Sequence, residues 1–394
     1  MLKSVFSIAF FFLLIAGQGS IAQSKIIFSE NGLTATLEQA KTENKPVMLW
    51  CYASWCPHCQ HMKETVFTNR PVYEYFNNTY ICVSQDMEKG DGIAMKKSME
   101  INAYPTFVFY NPQGEMIYRI QGEQSPYAFI DEGKSALILK YQLPYLKQQF
   151  EKDTSNSENC YEYVRALKKG GLNVSSVINR YFVTQTDRQL LSEINWQIFT
   201  NGVSDINSRV FRFVIAHQKE YAAIASAQRV KRKFDYEVKS LLEPLVEALD
   251  TIHYPTQRAL AAQIHTFSTD SLIFNYDLKI SELTQNWKMY RTVCMQSAMT
   301  YAWNNATELN DMAGNFALHI TAPEALMQAI GWAKRSITLD KAYNTYLNGS
   351  KLYQKLNDIP NAVLMAKKAL DLASKFGWEG KEAEQMLQEL NSKK

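Results

Sequence analysis

Five residues, Trp55-Cys56-Pro57-His58-Cys59, constrain this chain more than any other feature in it. They follow an apolar, β-rich stretch at 46–52 (PVMLWCY) and lead into a helical pattern over 59–67. Two thiols three residues apart are therefore expected where a buried strand hands over to a helix. The first turn of a helix carries N–H groups without intrahelical partners and a partial positive charge. A thiolate placed there is stabilised, which makes the first cysteine a nucleophile near neutral pH. Cys56 is expected at the turn and the more exposed of the two. Cys59 is expected one helical turn on, close enough to attack a mixed disulfide formed on Cys56. Pro57 suits the first helical position, where its missing N–H costs little. His58 is expected to direct a hydrogen bond or positive charge at the Cys56 sulfur.

Around this motif the pattern alternates. Strands are expected at 46–52, 80–84, 106–110 and 116–121, and helices at 33–43, 59–67, 70–77 and 93–99. Asn111-Pro112-Gln113-Gly114 is a turn signal that joins the last two strands as a hairpin. Such alternation implies βαβ units and a central sheet. Tyr104-Pro105-Thr106 stands at the start of a strand, where proline cannot donate to the ladder. A cis Tyr104–Pro105 bond there would turn the neighbouring backbone toward the sulfurs and offer an edge to an extended substrate. Trp55, Pro57, His58, Tyr104 and Pro105 are thus the expected substrate-binding and tuning residues around a catalytic Cys56 and Cys59.

The first residues read as an export signal. Lys3 supplies a positive start, 5–16 an apolar run, and Ser20-Ile21-Ala22 a small-x-small cleavage pattern before Gln23. The apolar run falls short of the roughly 20 residues needed to span a bilayer. The expected product is exported, periplasmic or secreted, without stable membrane insertion, and in a compartment where disulfides persist.

Beyond residue 145 strand signals fade and helical periodicity takes over. Helices are expected at 156–169, 187–199, 205–224, 236–249 (kinked at Pro244), 256–267, 278–290, 292–309 and 323–339. Near the end Ala329, Ala333 and Ser336 recur 33 residues later as Ala362, Ala366 and Ala369, resembling one degenerate tetratricopeptide unit. The expected organisation is a signal peptide over 1–22, an α/β domain over 23–144, and an all-α domain over 145–394.

The stretch from about 45 to 122 resembles the thioredoxin fold, and is similar to the C-terminal periplasmic domain of DsbD-type thiol:disulfide interchange proteins. The matching text is Lys45-Pro46-Val47-Met48-Leu49, Tyr52-Ala53-Ser54-Trp55-Cys56, Tyr104-Pro105-Thr106-Phe107 and Pro112-Gln113-Gly114. The resemblance implies that Cys56 attacks, Cys59 resolves, and Pro105 is cis. It implies no cofactor. Its partners would be disulfide- or thiol-bearing proteins and a redox partner protein. Three departures stand out. Thioredoxins hold a buried acid six residues before the first cysteine, where this chain has Trp50. The lysine common on the next strand is replaced by Ser84. The Pro-His dipeptide is similar to that of DsbA-type oxidases, although Pro105 follows Cys59 by only 46 positions, which leaves no room for the helical insertion of that family.

Other features carry milder expectations. Cys51 and Cys82 read as buried thiols in adjacent strands, with a second redox pair as the sharper alternative. Cys160 and Cys294 fall in different helices, where a structural disulfide is an alternative to free thiols. His61 reads as a helix-surface residue, and 229–233 (RVKRK) as a solvated face. A net charge of +3, from 42 basic and 39 acidic residues, argues against a nucleic-acid binder. No metal site is expected, since no second CxxC completes four ligands. Two rivals remain to the oxidoreductase reading. One is a helical interaction scaffold with a redox-responsive attachment; the other is a metal chaperone using Cys56, Cys59 and His61.

Overall fold

The structure, a computed structural model, describes residues 24–392. The expected leader lies outside the described residues. Among the described residues no helix is long and apolar enough to cross a membrane. The chain divides into two compact units between Val203 and Ser204.

The first unit is built on five strands: β1 (Phe28–Ser29), β2 (Val47–Tyr52), β3 (Ile81–Asp86), β4 (Thr106–Tyr110) and β5 (Met116–Gln121). Their order is β1-β3-β2-β4-β5. β3 runs parallel to β1 and β2, while β4 pairs antiparallel with β2 and with β5. Five helices accompany the sheet: α1 (Gly32–Glu43), α2 (Pro57–His61), α3 (Arg70–Thr79), α4 (Gly92–Ser98) and α5 (Pro126–Ala136). The four expected strands are present, and β3 runs on to Asp86. β1 escaped sequence reading because two residues show no periodicity.

Alternation along β2 divides the core. Val47, Leu49 and Cys51 lie in one cluster with Ala40 of α1 and, partly buried, Met95 of α4. Met48 and Trp50 lie in the other with Met62, Phe76 of α3 and Phe129 of α5. A strand covered on both faces reads as a continuous apolar run, which is why PVMLWCY is legible as buried. Phe129 stacks on Phe76 at 4.3 Å and meets Phe107 at 4.7 Å between ring centroids. Burial of such a ring stabilises the fold by about 1.5–3 kcal/mol. The same division separates Cys51 from Cys82: Cys51 belongs to the first cluster and Cys82 to the second, opposite Met48. The two thiols face opposite sides of the sheet, so they do not form a second redox pair.

The expected boundary at residue 144 does not coincide with the division into compact units. Helices Leu143–Lys152 and Ser157–Lys169 belong with the sheet. Lys169 Nζ donates to Glu132 Oε2 at 2.6 Å and to the Tyr118 hydroxyl at 2.9 Å. Gly170 lies so close to Arg119 that a Cβ there would stand 3.1 Å from the Arg119 Cβ. Arg119 is itself buried, and donates to the carbonyls of Met99 and Glu100 just past α4.

The second unit is helical in all its described elements, from Arg209–Ala216 to Lys381–Asn391. The helix Pro323–Leu339 stands where sequence placed it. Several others are divided differently. The expected 278–290 straddles the break between Phe267–Leu283 and Trp287–Tyr301, and 292–309 the break before Ala306–His319. In the first unit, 187–199 is split between Leu190 and Glu193. At each new start a polar side chain caps the helix: Asn286 accepts from Met289 N–H, Asn305 from Glu308 N–H, and Ser192 from Asn195 N–H. These caps interrupt an apolar rhythm that continues through them. The expected 205–224 breaks at His217, and the helix Ala227–Glu247 starts earlier than expected and continues through Pro244. The basic run is not wholly solvated, because Lys233 is buried and donates to Glu237 at 2.6 Å. Cys160 and Cys294 are free thiols that belong to different units. In the last helices Ala329, Ala333, Ser336, Ala362, Ala366 and Ala369 are all buried. Ser350 donates to the Ala362 carbonyl at 2.8 Å, so these helices approach closely.

Candidate functional site: a dithiol at a helix start

β2 delivers the chain to Ala53, and Cys56 N–H donates to the Ala53 carbonyl at 3.1 Å to close the turn. Cys56 is then the N-cap of α2, with Pro57 at the first helical position. The Cys56 sulfur accepts from Cys59 N–H at 3.4 Å. This is the expected use of an orphan amide at a helix start. The helix does not stop at His61: Met62–Val66 continues it as a π-helical turn, a form that often marks functional sites.

Pro105 is cis, as the resemblance implied. The Cys56 thiol lies 3.8 Å from the Tyr104 carbonyl and donates to it. Gly122 N–H donates to the Pro105 carbonyl at 2.8 Å, which carries this edge onto the end of β5. The Tyr104 hydroxyl donates to Glu88, which also takes Lys96 Nζ at 2.7 Å. The Lys96 ammonium bond holds the Glu88 carboxyl below its ordinary value. Trp55 is 67% exposed and meets the Tyr104 ring edge-on at 6.2 Å. The structure therefore gathers Trp55, Cys56, Pro57, Cys59, Tyr104 and Pro105 at one place.

One expectation is met only narrowly and another is corrected. As whole residues, Cys56 is 3% exposed and Cys59 2%. His58 directs its Nδ1 at Glu123 Oε2, 2.6 Å away, instead of at the Cys56 sulfur. His61 makes the matching contact to Glu123 Oε1, also at 2.6 Å. The Glu123 carboxyl is held below its ordinary range, chiefly by the His58 bond. Glu123, Glu88 and Lys96 were missed by sequence reading. No spacing rule links an acid after β5 to a helix 65 residues earlier.

Cys59 is pushed up to about 12, first by burial, then by its hydrogen bond with Cys56. The Asp86 charge adds to the rise. Asp86 ends β3 in register with Tyr52. Beside Cys59 opens a cavity of about 810 Å³ whose walls include Phe28, Trp50, Tyr52 and Phe67. Trp50, where the resemblance implied an acid, lines this cavity and stacks on Tyr52 at 4.4 Å. Among the described residues no group of three or more His, Cys, Asp or Glu side chains is placed to hold a metal ion.

This fold, with a dithiol capping a helix opposite a cis proline, defines a thioredoxin-like domain, and residues 33–136 match the sequence model of that domain. The chain is similar to thiol:disulfide interchange proteins DsbD. It is 28% identical to that of Klebsiella pneumoniae subsp. pneumoniae over 113 residues, which are 28% of this chain and 18% of that protein. It is 30% identical to that of Vibrio cholerae serotype O1 over 103 residues, 25% of this chain and 17% of that one. The chain thus spans less than a fifth of the length of these curated relatives. A solved structure described as a proposed disulphide isomerase from Bacteroides thetaiotaomicron is 32% identical, covering 29% of this chain and 97% of that one, with a TM-score of 0.27.

Proposed function

We propose that this protein is an exported thiol–disulfide oxidoreductase that works through Cys56 and Cys59. The observation that carries the reading is the Cys59 N–H aimed at the Cys56 sulfur, beside the Tyr104–Pro105 edge. An amide donor at a helix start favours an anionic sulfur. In the reducing direction the Cys56 thiolate attacks a substrate disulfide. One substrate sulfur leaves as a thiolate and takes up a proton, and a Cys56–substrate mixed disulfide forms. Cys59 then gives up its proton and attacks the Cys56 sulfur. The second substrate thiolate leaves, and the Cys56–Cys59 disulfide remains. Oxidation of a substrate is the same sequence reversed; isomerisation is attack by Cys56, exchange of the freed substrate thiolate with another substrate disulfide, and release of Cys56 when a different substrate thiolate attacks the substrate sulfur of the mixed disulfide. A separate redox partner protein resets the pair.

Burial of Cys59 fits the resolving role, since a thiol held to about 12 does not compete as the first nucleophile. Exposed Trp55 and the Tyr104 carbonyl edge would bind the client chain. The export assignment rests on the leader-like residues 1–22. The helical remainder would select or present the partner.

Cys56→Ser is expected to lower turnover of a protein disulfide by several orders of magnitude, because the nucleophile is gone. Cys59→Ser is expected to accumulate mixed disulfides visible on a non-reducing gel. Full activity of Cys56→Ser in vitro and in the cell would end the enzymatic reading in favour of a scaffold.

A further inference from the structure

The segment after β5 holds the dithiol helix. Gly122 is tied to the cis-proline edge, and Gln124 N–H donates to the Met62 sulfur at 3.4 Å. Between them the two oxygens of Glu123 are divided between His58 and His61, each 2.6 Å away. The histidines are three residues apart and share one helix face.

Folding energy does not account for this arrangement. The His58 and His61 side chains are 68% and 52% exposed and that of Glu123 is 32% exposed, and such exposed pairs contribute little to stability. Its position is more telling. His58 lies between the two cysteines, and its Nδ1 is committed to Glu123. The hydrogen-bond partners of the Cys56 sulfur are the Tyr104 carbonyl and the Cys59 amide.

We infer that Glu123 is a positioning residue for the dithiol: by tying down His58 and His61 it holds the His58 ring off the Cys56 sulfur and makes the pair a weaker oxidant than the Pro-His dipeptide would otherwise give. The inference rests on the dithiol chemistry proposed above. A hydrogen-bond donor beside the sulfur stabilises the thiolate, and so the reduced form, which raises the reduction potential. Loss of Glu123 frees His58 to act in that way. It also removes a negative charge that repels the thiolate. Both changes move the potential upward.

The test is equilibration of the full chain with glutathione redox buffers, for wild type, Glu123→Ala, Glu123→Asp, His58→Ala and the Glu123→Ala/His58→Ala double variant. Glu123→Ala is expected to shift the equilibrium about tenfold toward the reduced protein, or about 30 mV for this two-electron couple. Glu123→Asp, which keeps the carboxylate, is expected to lie nearer wild type. In the His58→Ala background the shift is expected to fall below half. An unmoved potential in Glu123→Ala, or an undiminished shift without His58, overturns the inference while leaving the dithiol reading intact. A wild-type protein with no reversible dithiol–disulfide equilibrium refutes the dithiol reading itself, and this inference with it.

Discussion

The two compact units differ in how far small side chains fill their interiors, alanine being far more frequent in the core of the second. In the first, Trp50, Phe67, Phe76, Phe107, Phe109 and Phe129 form a continuous aromatic block between the sheet and its helices. In the second, Ala298, Ala313, Ala329, Ala333, Ala362 and Ala366 line the helix contacts. The spacing of the layers explains the difference. A sheet and its covering helices leave a wide gap that large rings fill. Helices packed on helices lie about 8–10 Å apart axis to axis, closest where the side chains at the crossing are small. The dithiol turn packs on the aromatic block, since Cys56, Cys59 and Met62 sit in the same cluster.

If this contrast is right, the two units fail under opposite substitutions. Phe129→Ala is expected to destabilise the first unit by about 3–5 kcal/mol, because the cavity sits among rings that cannot close over it. Hydrogen exchange read separately for each unit should show the loss in 24–203 and not beyond; an equal loss in both would break the contrast. The next largest effect is alkaline. Cys51, Cys82 and Cys160 in the first unit are raised by burial, Cys82 and Cys160 to about 12 from an ordinary 9.0. Cys294 is the one thiol in the second unit and is raised in the same way. A thiol that holds its proton more tightly when folded contributes stability that is complete below about 9 and lost as pH rises toward about 12. The first unit is therefore expected to unfold at lower pH than the second in a titration above pH 9 followed by circular dichroism and unit-resolved exchange.

Smaller effects sharpen the comparison. Ala366→Leu is expected to cost the second unit about 1–3 kcal/mol by overpacking, with no change in the first. Lys169→Met tests where the first unit ends. It removes a partly exposed ammonium from Glu132 and Tyr118 and is expected to cost about 1 kcal/mol or less. A fragment 24–144 as stable as 24–203 would move the boundary back to where composition alone put it.

Much of the dithiol site was legible before any coordinates. Cys56, Pro57 and Cys59 could be read because a strand, a turn and a helix start are local patterns, written in neighbouring residues. Pro105 could be read through family resemblance, and it is cis. What sequence missed is of another kind. Glu123 stands 65 residues from His58, and only the path of β5 brings them together. Cys51 and Cys82 looked like neighbours until the register placed them on opposite faces. Helix breaks at Asn286 and Asn305 were hidden because the apolar rhythm runs straight through them.

The amino-acid order was enough to place a thiol pair at a helix start just past a strand, and an α/β block ahead of a helical one. Those properties follow from interactions within a few residues. Which group faces His58, how deeply Cys56 is recessed, and where the first unit closes depended on packing between segments far apart in the chain. Such contacts are chosen by the mutual fit of whole elements, and no short pattern encodes them.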